Sequence, residues 1–274
     1  MGSSIPTVIG PRPVFSLGLG ELWRYRELFY FFTWRDIKVK YKQTSLGVAW
    51  AVLQPLLLMA VFTLFFGARM QEEIDFPYPV FAFSGLLLWN VFAGGLMGAG
   101  TSMVGNAHII QKVYFPRLIV PVSSIMVSLF DFLMGLPVLA GLLFWSGCAP
   151  RATAPFFFLA GLVLAVAGTL GAGCWLAALT VKYRDFRYVL PFLVQLLLFV
   201  TPVIYPVSYA RVEWARRLLA LNPMSGAISL FRGMFSERPI DGMLTVMSVA
   251  SAFVLLGFGL WYFRKTEAFF ADLA

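Results

Sequence analysis

The chain has 274 residues, 60% hydrophobic and 12% charged, with a mean hydropathy of +0.82 and a formal net charge of +8. An ordinary soluble domain carries about 25% charged residues, so this composition excludes a soluble enzyme fold and points to membrane spans. The basic residues lie beside apolar runs and form no long basic arm, which argues against nucleic acid as a partner and for positive loops on one side of a membrane.

Residues from Met1 to Gly20 mix Gly, Pro and polar side chains and lack the apolar core of a signal peptide, so the first apolar run is expected to be a retained span. From Glu21 to Thr44, bulky aromatics such as Trp23, Tyr30 and Trp34 alternate with charged residues. Charges at that density are costly in hydrocarbon while aromatics favour the headgroup level, so the segment predicts an amphipathic helix along the inner membrane surface. Docking of the same helix on another protein is compatible with this pattern.

Residues 1–47 thus read as a cytoplasmic N-terminus and 48–274 as a transmembrane domain. Crossing about 30 Å of hydrocarbon takes about 20 apolar residues in a helix, because backbone groups left unpaired in lipid cost several kcal/mol. Six runs qualify, near 48–66, 80–104, 118–145, 156–181, 189–205 and 243–263. The fold class is therefore an all-α polytopic membrane protein. Pro55, Pro137, Pro191 and Pro202 fall within the runs and predict kinks.

In the second run Gly94, Gly98 and Ser102 repeat every four residues, a spacing that suits close helix packing. Asp131 is the one acid in the third run, and no Lys or Arg lies within the six runs to pair with it. It is either protonated and bonded to a neighbouring helix or turned toward a hydrated path or a basic loop, and a proton relay lacks a second acid. Cys148 falls in a loop, and Cys174 about 27 Å down the following helix, too far for a disulfide. Between the fifth and sixth runs, 206–241 is half apolar but broken by Asn222, Pro223, Gly226 and Gly233. Two short helices that re-enter the outer leaflet would cover Trp214, Leu218, Leu219 and Leu221, which an ordinary solvated loop would leave exposed.

Fourteen Lys and Arg residues flank the runs on the side of the termini against seven on the other, which places both termini in the cytoplasm. The chain has one histidine, His108, and contains no H-E-x-x-H, G-x-S-x-G or Cys/His ligand cluster. It also lacks a G-x-x-x-x-G-K-[ST] loop, so any ATP-driven step belongs to a partner. Neither a metal nor a catalytic site is expected.

Several short patches occur in a fixed order: Tyr41-Lys-Gln-Thr-Ser-Leu-Gly-Val-Ala-Trp50 with Pro55, Gln111-Lys-Val-Tyr-Phe-Pro-Arg117, Thr201-Pro-Val-Ile-Tyr-Pro206, Asn222-Pro223 with Arg232, and Phe263-Arg-Lys-Thr-Glu267 with Phe270-Ala-Asp272. From about Glu21 onward the chain resembles the permease subunit of ABC exporters of polysaccharides, and within them most closely the O-antigen type, with capsule and teichoic acid exporters as relatives.

The resemblance implies a homodimer in the bacterial inner membrane, each copy bound to a nucleotide-binding ATPase subunit that holds ATP and Mg. The substrate it implies is an undecaprenyl pyrophosphate-linked polysaccharide moved from cytoplasm to periplasm. It also implies a coupling helix over 106–117, with His108, Gln111, Lys112, Tyr114 and Arg117 toward the ATPase. Aromatics are implied along the channel, for which Trp50, Phe62, Trp89, Phe92 and Tyr205 are the candidates. Arg24, Arg26, Arg35, Lys38, Lys40 and Lys42 would admit the lipid pyrophosphate, although contact with anionic membrane lipid explains each basic residue equally. Two other readings stay open: a drug or lipid exporter on the same architecture, and a membrane enzyme acting on lipid-linked sugars.

Overall fold

The computed structural model describes residues 19–42, 44–210 and 212–267. Arg12, Arg211 and the Phe270-Ala-Asp272 patch lie outside the described residues. Every regular element within them is helical: α1 (Leu19–Arg24), α2 (Arg26–Lys42), α3 (Ala49–Gln71), α4 (Tyr78–Gly105), α5 (Ala107–Lys112), α6 (Ile119–Trp145), α7 (Ala154–Lys182), α8 (Phe186–Val200), α9 (Glu213–Leu221), α10 (Pro223–Arg232) and α11 (Gly242–Thr266). A single 3-10 turn, Val207–Tyr209, precedes α9.

Five helices, α3, α4, α6, α7 and α11, are long and apolar enough to cross a membrane. The fifth apolar run behaves differently from the span expected over 189–205. Its helix, α8, has 15 residues and stops at Val200, a length of about 22 Å, short of the hydrocarbon thickness. Pro202 is the cause, because it disfavours helical backbone at the preceding residue, and Thr201 is extended at φ −85° and ψ 138°. Pro55, Pro137 and Pro191 stay inside helices. Irregular backbone is tolerated at membrane depth where protein covers it, and Thr201, Pro202, Val203 and Ile204 are all buried.

The core is built around α4, which touches α3, α6, α7, α8 and α10. Small residues make these approaches possible. A Cβ on Gly94 would sit 2.8 Å from the Ser128 hydroxyl, and one on Gly98 would sit 3.3 Å from Ser124, so the four-residue repeat forms the α4–α6 seam. The α7–α11 crossing is closer still, for a Cβ on Gly171 would lie 2.5 Å from the backbone of Leu255 and Leu256. One large apolar cluster fills the middle of the bundle, and a second, smaller one lies at the end that carries α5. Both cysteines are free. Burial, and then the nearby Asp75 charge, push the Cys148 thiol above its ordinary range.

Candidate functional site

At one end of the bundle, α4 turns sharply into α5 at Asn106, whose side-chain amide donates back to the Ser102 carbonyl at 2.8 Å. The two-sided character of α5 follows from its sequence. Ile110, and Phe115 just beyond the helix, are buried in the smaller cluster with Phe32, Met103, Ile119 and Phe263. The Phe32 and Phe115 rings lie 5.6 Å apart. His108, Gln111, Lys112 and Tyr114 are exposed on the other side. Arg117 turns inward and donates to the Glu267 carbonyl at the end of α11. The short helix therefore shares packed side chains with α2, α4, α6, α7 and α11, and a close-packed contact transmits displacement instead of absorbing it.

Helix α2 is fastened at two levels. Arg35 reaches the Asn106 side chain at 2.8 Å, pairs with Asp36 at 2.7 Å and lies over the Phe32 ring, 4.6 Å from its centroid. Further along, Lys40 and Tyr41 both bond to Asp131 in the middle of α6. Asp131 thus finds its base on a helix outside the apolar runs, about 90 positions earlier in the chain, a separation that local sequence patterns do not register. Tyr41, buried and donating to the same carboxylate, escaped the sequence reading for the same reason. The six basic residues proposed to meet a pyrophosphate consequently divide. Arg24, Arg26, Lys38 and Lys42 are exposed, with Arg26 over the Trp23 ring and Lys38 over Trp34 at 5.6 and 5.4 Å. Arg35 and Lys40 hold α2 in place.

The five aromatic channel candidates do not converge on one surface. Trp50 is exposed at the start of α3, and Phe62 is half-buried, 6.3 Å from Phe66. Trp89 and Phe92 lie in the interior of the bundle with rings 5.5 Å apart, so in this conformation they pack the protomer and line none of its outer faces. Tyr205 is half-buried, and its hydroxyl donates to the Phe199 and Val200 carbonyls at 3.0 and 3.1 Å, closing the end of α8. Exposed apolar surface is found instead on α3, through Leu57, Leu64 and Phe65, and on α8, through Tyr188, Phe192 and Phe199, as well as on α6, α7 and α11. The α8 stripe has the spacing of one helical face and was readable in the sequence.

At the opposite end, Arg232 is buried in the last turn of α10. Its guanidinium donates to the carbonyls of Pro202 at 2.8 Å, Phe81 at 2.9 Å and Val203 at 2.6 Å, and it lies 3.4 Å from the Phe81 ring centroid. Tyr78 donates to the Ile204 carbonyl at 2.9 Å, and the Asn222 amide donates to the Thr201 side-chain hydroxyl at 2.8 Å. Carbonyls freed where α8 breaks are thereby satisfied by side chains of α4 and α10, which is what buried backbone requires. Asn222 also caps α10 by accepting from the Met224 amide at 3.0 Å. The 206–241 segment contains two short helices. Leu219 of α9 and most of α10 are buried, whereas Trp214, Leu218 and Leu221 stay exposed on the protomer. Among the described residues, no group of three or more His, Cys, Asp or Glu side chains is placed to hold a metal.

The chain is similar along most of its length to named transport proteins. It is 33% identical over 242 residues to an O-antigen export system permease protein, RfbA, of Myxococcus xanthus, covering 88% of this chain and 91% of that one. A protein of the same name from Klebsiella pneumoniae is 28% identical, with 90% and 95% covered. The polysialic acid transport protein KpsM of Escherichia coli is 24% identical, with 85% and 91% covered. A model of the ABC-2 type transporter membrane family matches residues 27–236, a region that runs from α2 through α10 and holds the α5 elbow, the Asp131 pair and the Arg232 clamp. The chain belongs to the ABC-2 type transporter family and is the multi-pass membrane component of a transporter whose ATPase is its partner.

Proposed function

We propose that two copies of this chain form the channel of an exporter that moves an O-antigen-type polysaccharide, carried on undecaprenyl pyrophosphate, from cytoplasm to periplasm across the bacterial inner membrane. Both termini and α5 then face the cytoplasm, and each copy seats α5 in a separate nucleotide-binding subunit that holds ATP and Mg. The observation that carries this reading is the two-sidedness of α5: an outward row of His108, Gln111, Lys112 and Tyr114 over Ile110 and Phe115, which are embedded among the ends of the long helices. The names of the more similar relatives support O-antigen over capsule, since identity falls from 33% for the first to 24% for the polysialic acid transport protein.

Closure of the ATPase pair on ATP displaces α5, and the shared cluster passes that displacement to α4, α6, α7 and α11. Helix α2 follows, because Arg35 ties it to the α5 elbow and Lys40 with Tyr41 to α6. The bare apolar faces of α3 and α8 from two copies enclose the glycan path, with Trp50, Phe62 and Tyr205 along it. Trp89 and Phe92 stiffen the wall from behind. Arg24, Arg26, Lys38 and Lys42 receive the pyrophosphate head, and α9 with α10 closes the outer mouth between transport steps.

The test is ATP hydrolysis by the chain and its ATPase in lipid nanodiscs, with and without the lipid-linked glycan. A His108→Ala, Lys112→Ala, Tyr114→Ala variant is expected to lose the glycan response. If no complex forms and the chain alone chemically alters the lipid-linked glycan, the enzyme reading replaces this one.

A further inference from the structure

At the end of the bundle opposite α5, a cavity of about 540 Å³ opens where α7 and α11 begin. Phe157 of α7, Val246 of α11 and Leu230 of α10 form its apolar wall, and Arg151 and the 236–240 loop form its polar one. No residue of α3 or α8 lines it, so it stays outside the surfaces assigned above to the pairing of two copies. The charged lining residues are Arg151, Glu237 and Arg238. Among the described residues neither arginine forms an ion pair with a carboxylate. Each guanidinium donates to a backbone carbonyl instead, Arg151 to Ser236 at 2.8 Å and Arg238 to Glu73. The nearby Asp75 carboxylate is taken up by the loop itself, accepting from the Ser236 hydroxyl at 3.1 Å and from the Glu237 and Arg238 amides at 2.6 and 3.2 Å.

Both arginines are exposed, and a guanidinium carries several N–H donors, so each keeps donors for an acceptor from outside. The excess of positive charge favours an anion, and the planar fork of Arg suits a phosphate. What lies beyond this rim narrows the choice. Phe156, Leu159 and Val163 share one face of α7, and Val246, Phe253 and Val254 share one face of α11, all of them exposed on the protomer. Both helices are apolar enough to span the membrane. A cationic rim at the head of bare apolar helix faces matches a ligand with an anionic head and a hydrocarbon tail, and a soluble phosphate or an acidic glycan offers only the first of these. The volume lies within the roughly 300–1,000 Å³ of small-molecule sites.

We propose that this cavity binds an anionic phospholipid, with its phosphate on Arg151 and Arg238 and an acyl chain against Phe157 and Val246. With α5 in the cytoplasm, the lipid belongs to the periplasmic leaflet. It ties the 236–240 loop to the start of α7, reinforcing the Arg151–Ser236 bond. The site does not depend on which substrate the transporter carries.

The experiment uses the complex of this chain with its ATPase in nanodiscs that contain phosphatidylglycerol with a photoreactive diazirine in its headgroup. Crosslinked peptides are located by mass spectrometry, with unlabelled phosphatidylglycerol, phosphatidylcholine and soluble glycerol phosphate as competitors. Crosslinks are expected on peptides holding Arg151 to Val163 and Ser236 to Val246, displaced by phosphatidylglycerol and by neither of the other two. Arg151→Gln with Arg238→Gln is expected to lower their yield about ten-fold, while Arg151→Lys with Arg238→Lys, which keeps both charges, retains most of it. Crosslinks confined to other segments, or an unchanged yield in the Gln variant, would overturn the site. Equal loss in the Gln and Lys variants would assign the arginines to holding the loop and overturn their role in binding. Displacement by phosphatidylcholine to the same extent would overturn the anionic class, and displacement by glycerol phosphate would replace the lipid with a soluble anion.

Discussion

Helices α3 and α4 follow one another in the chain, pack side by side, and are both apolar enough to span a membrane. Within the protomer, 78% of the most apolar stretch of α4 is buried against 11% of that of α3. In water such a difference would show in composition, because an exposed apolar helix is unstable there. In lipid it does not, since hydrocarbon tails are as apolar as leucine and give helices no hydrophobic reason to associate. What separates the two helices is the size of the residues at the contacts. Gly85, Gly94, Gly95 and Gly98 let α4 approach α6, α7 and the Arg232 clamp closely, while α3 shows bulky Leu57, Leu64 and Phe65 outward.

The sharpest way to break the comparison is to enlarge a buried glycine at a crossing that backbone alone surrounds. Gly171→Leu is expected to abolish folded protein, because the α7–α11 crossing has no side chain that can yield; loss of the monodisperse peak in size-exclusion chromatography measures it. Arg232→Met comes next, since it strips the Pro202, Phe81 and Val203 carbonyls of their donor inside the bundle. A destabilisation of about 3–5 kcal/mol is expected in reversible unfolding, and a change of under 1 kcal/mol would show that the broken end of α8 finds other partners.

At Asp131 the predicted effects are smaller. Asp131→Leu, which leaves Lys40 and the Tyr41 hydroxyl without their acceptor, is expected to cost about 2 kcal/mol in the same assay. Asp131→Asn keeps an acceptor for Tyr41 and is expected to cost about 1 kcal/mol. Equal losses would mean that the charge, and not the hydrogen bond, holds α2 against α6. On the bare helix, Leu64→Ala with Phe65→Ala is expected to shift protomer stability by less than about 0.5 kcal/mol while loosening the pairing of copies, read by native mass spectrometry. A large loss of stability there would place α3 in the protomer core and undo the contrast with α4.

Much of this was legible before any coordinates. Long uncharged runs identified the spanning helices, because the backbone has few options in lipid. The four-residue spacing of Gly94 and Gly98 marked a seam and Asn222-Pro223 marked a break, whereas Pro202 read only as a kink within the fifth run. The partners across both points were hidden. Arg232 stood in the sequence beside Asn222-Pro223 as part of a family patch, but the carbonyls it binds lie about 30 and 150 positions away. Trp89 and Phe92 looked like channel residues because aromatic composition carries no sign of which side of a helix faces inward.

The sequence by itself determined that the chain is a helical membrane protein, where five of its spanning helices run, that it carries no ATP-binding loop, and which family it resembles, since these depend on local composition and short ordered motifs. Only the tertiary structure decided which apolar helix is core and which is bare, that Asp131 is answered by Lys40 and Tyr41, and that Arg232 closes the broken end of α8. Each of those depends on atoms brought together from distant parts of the chain, and in a bilayer hydropathy does not rank one apolar surface above another.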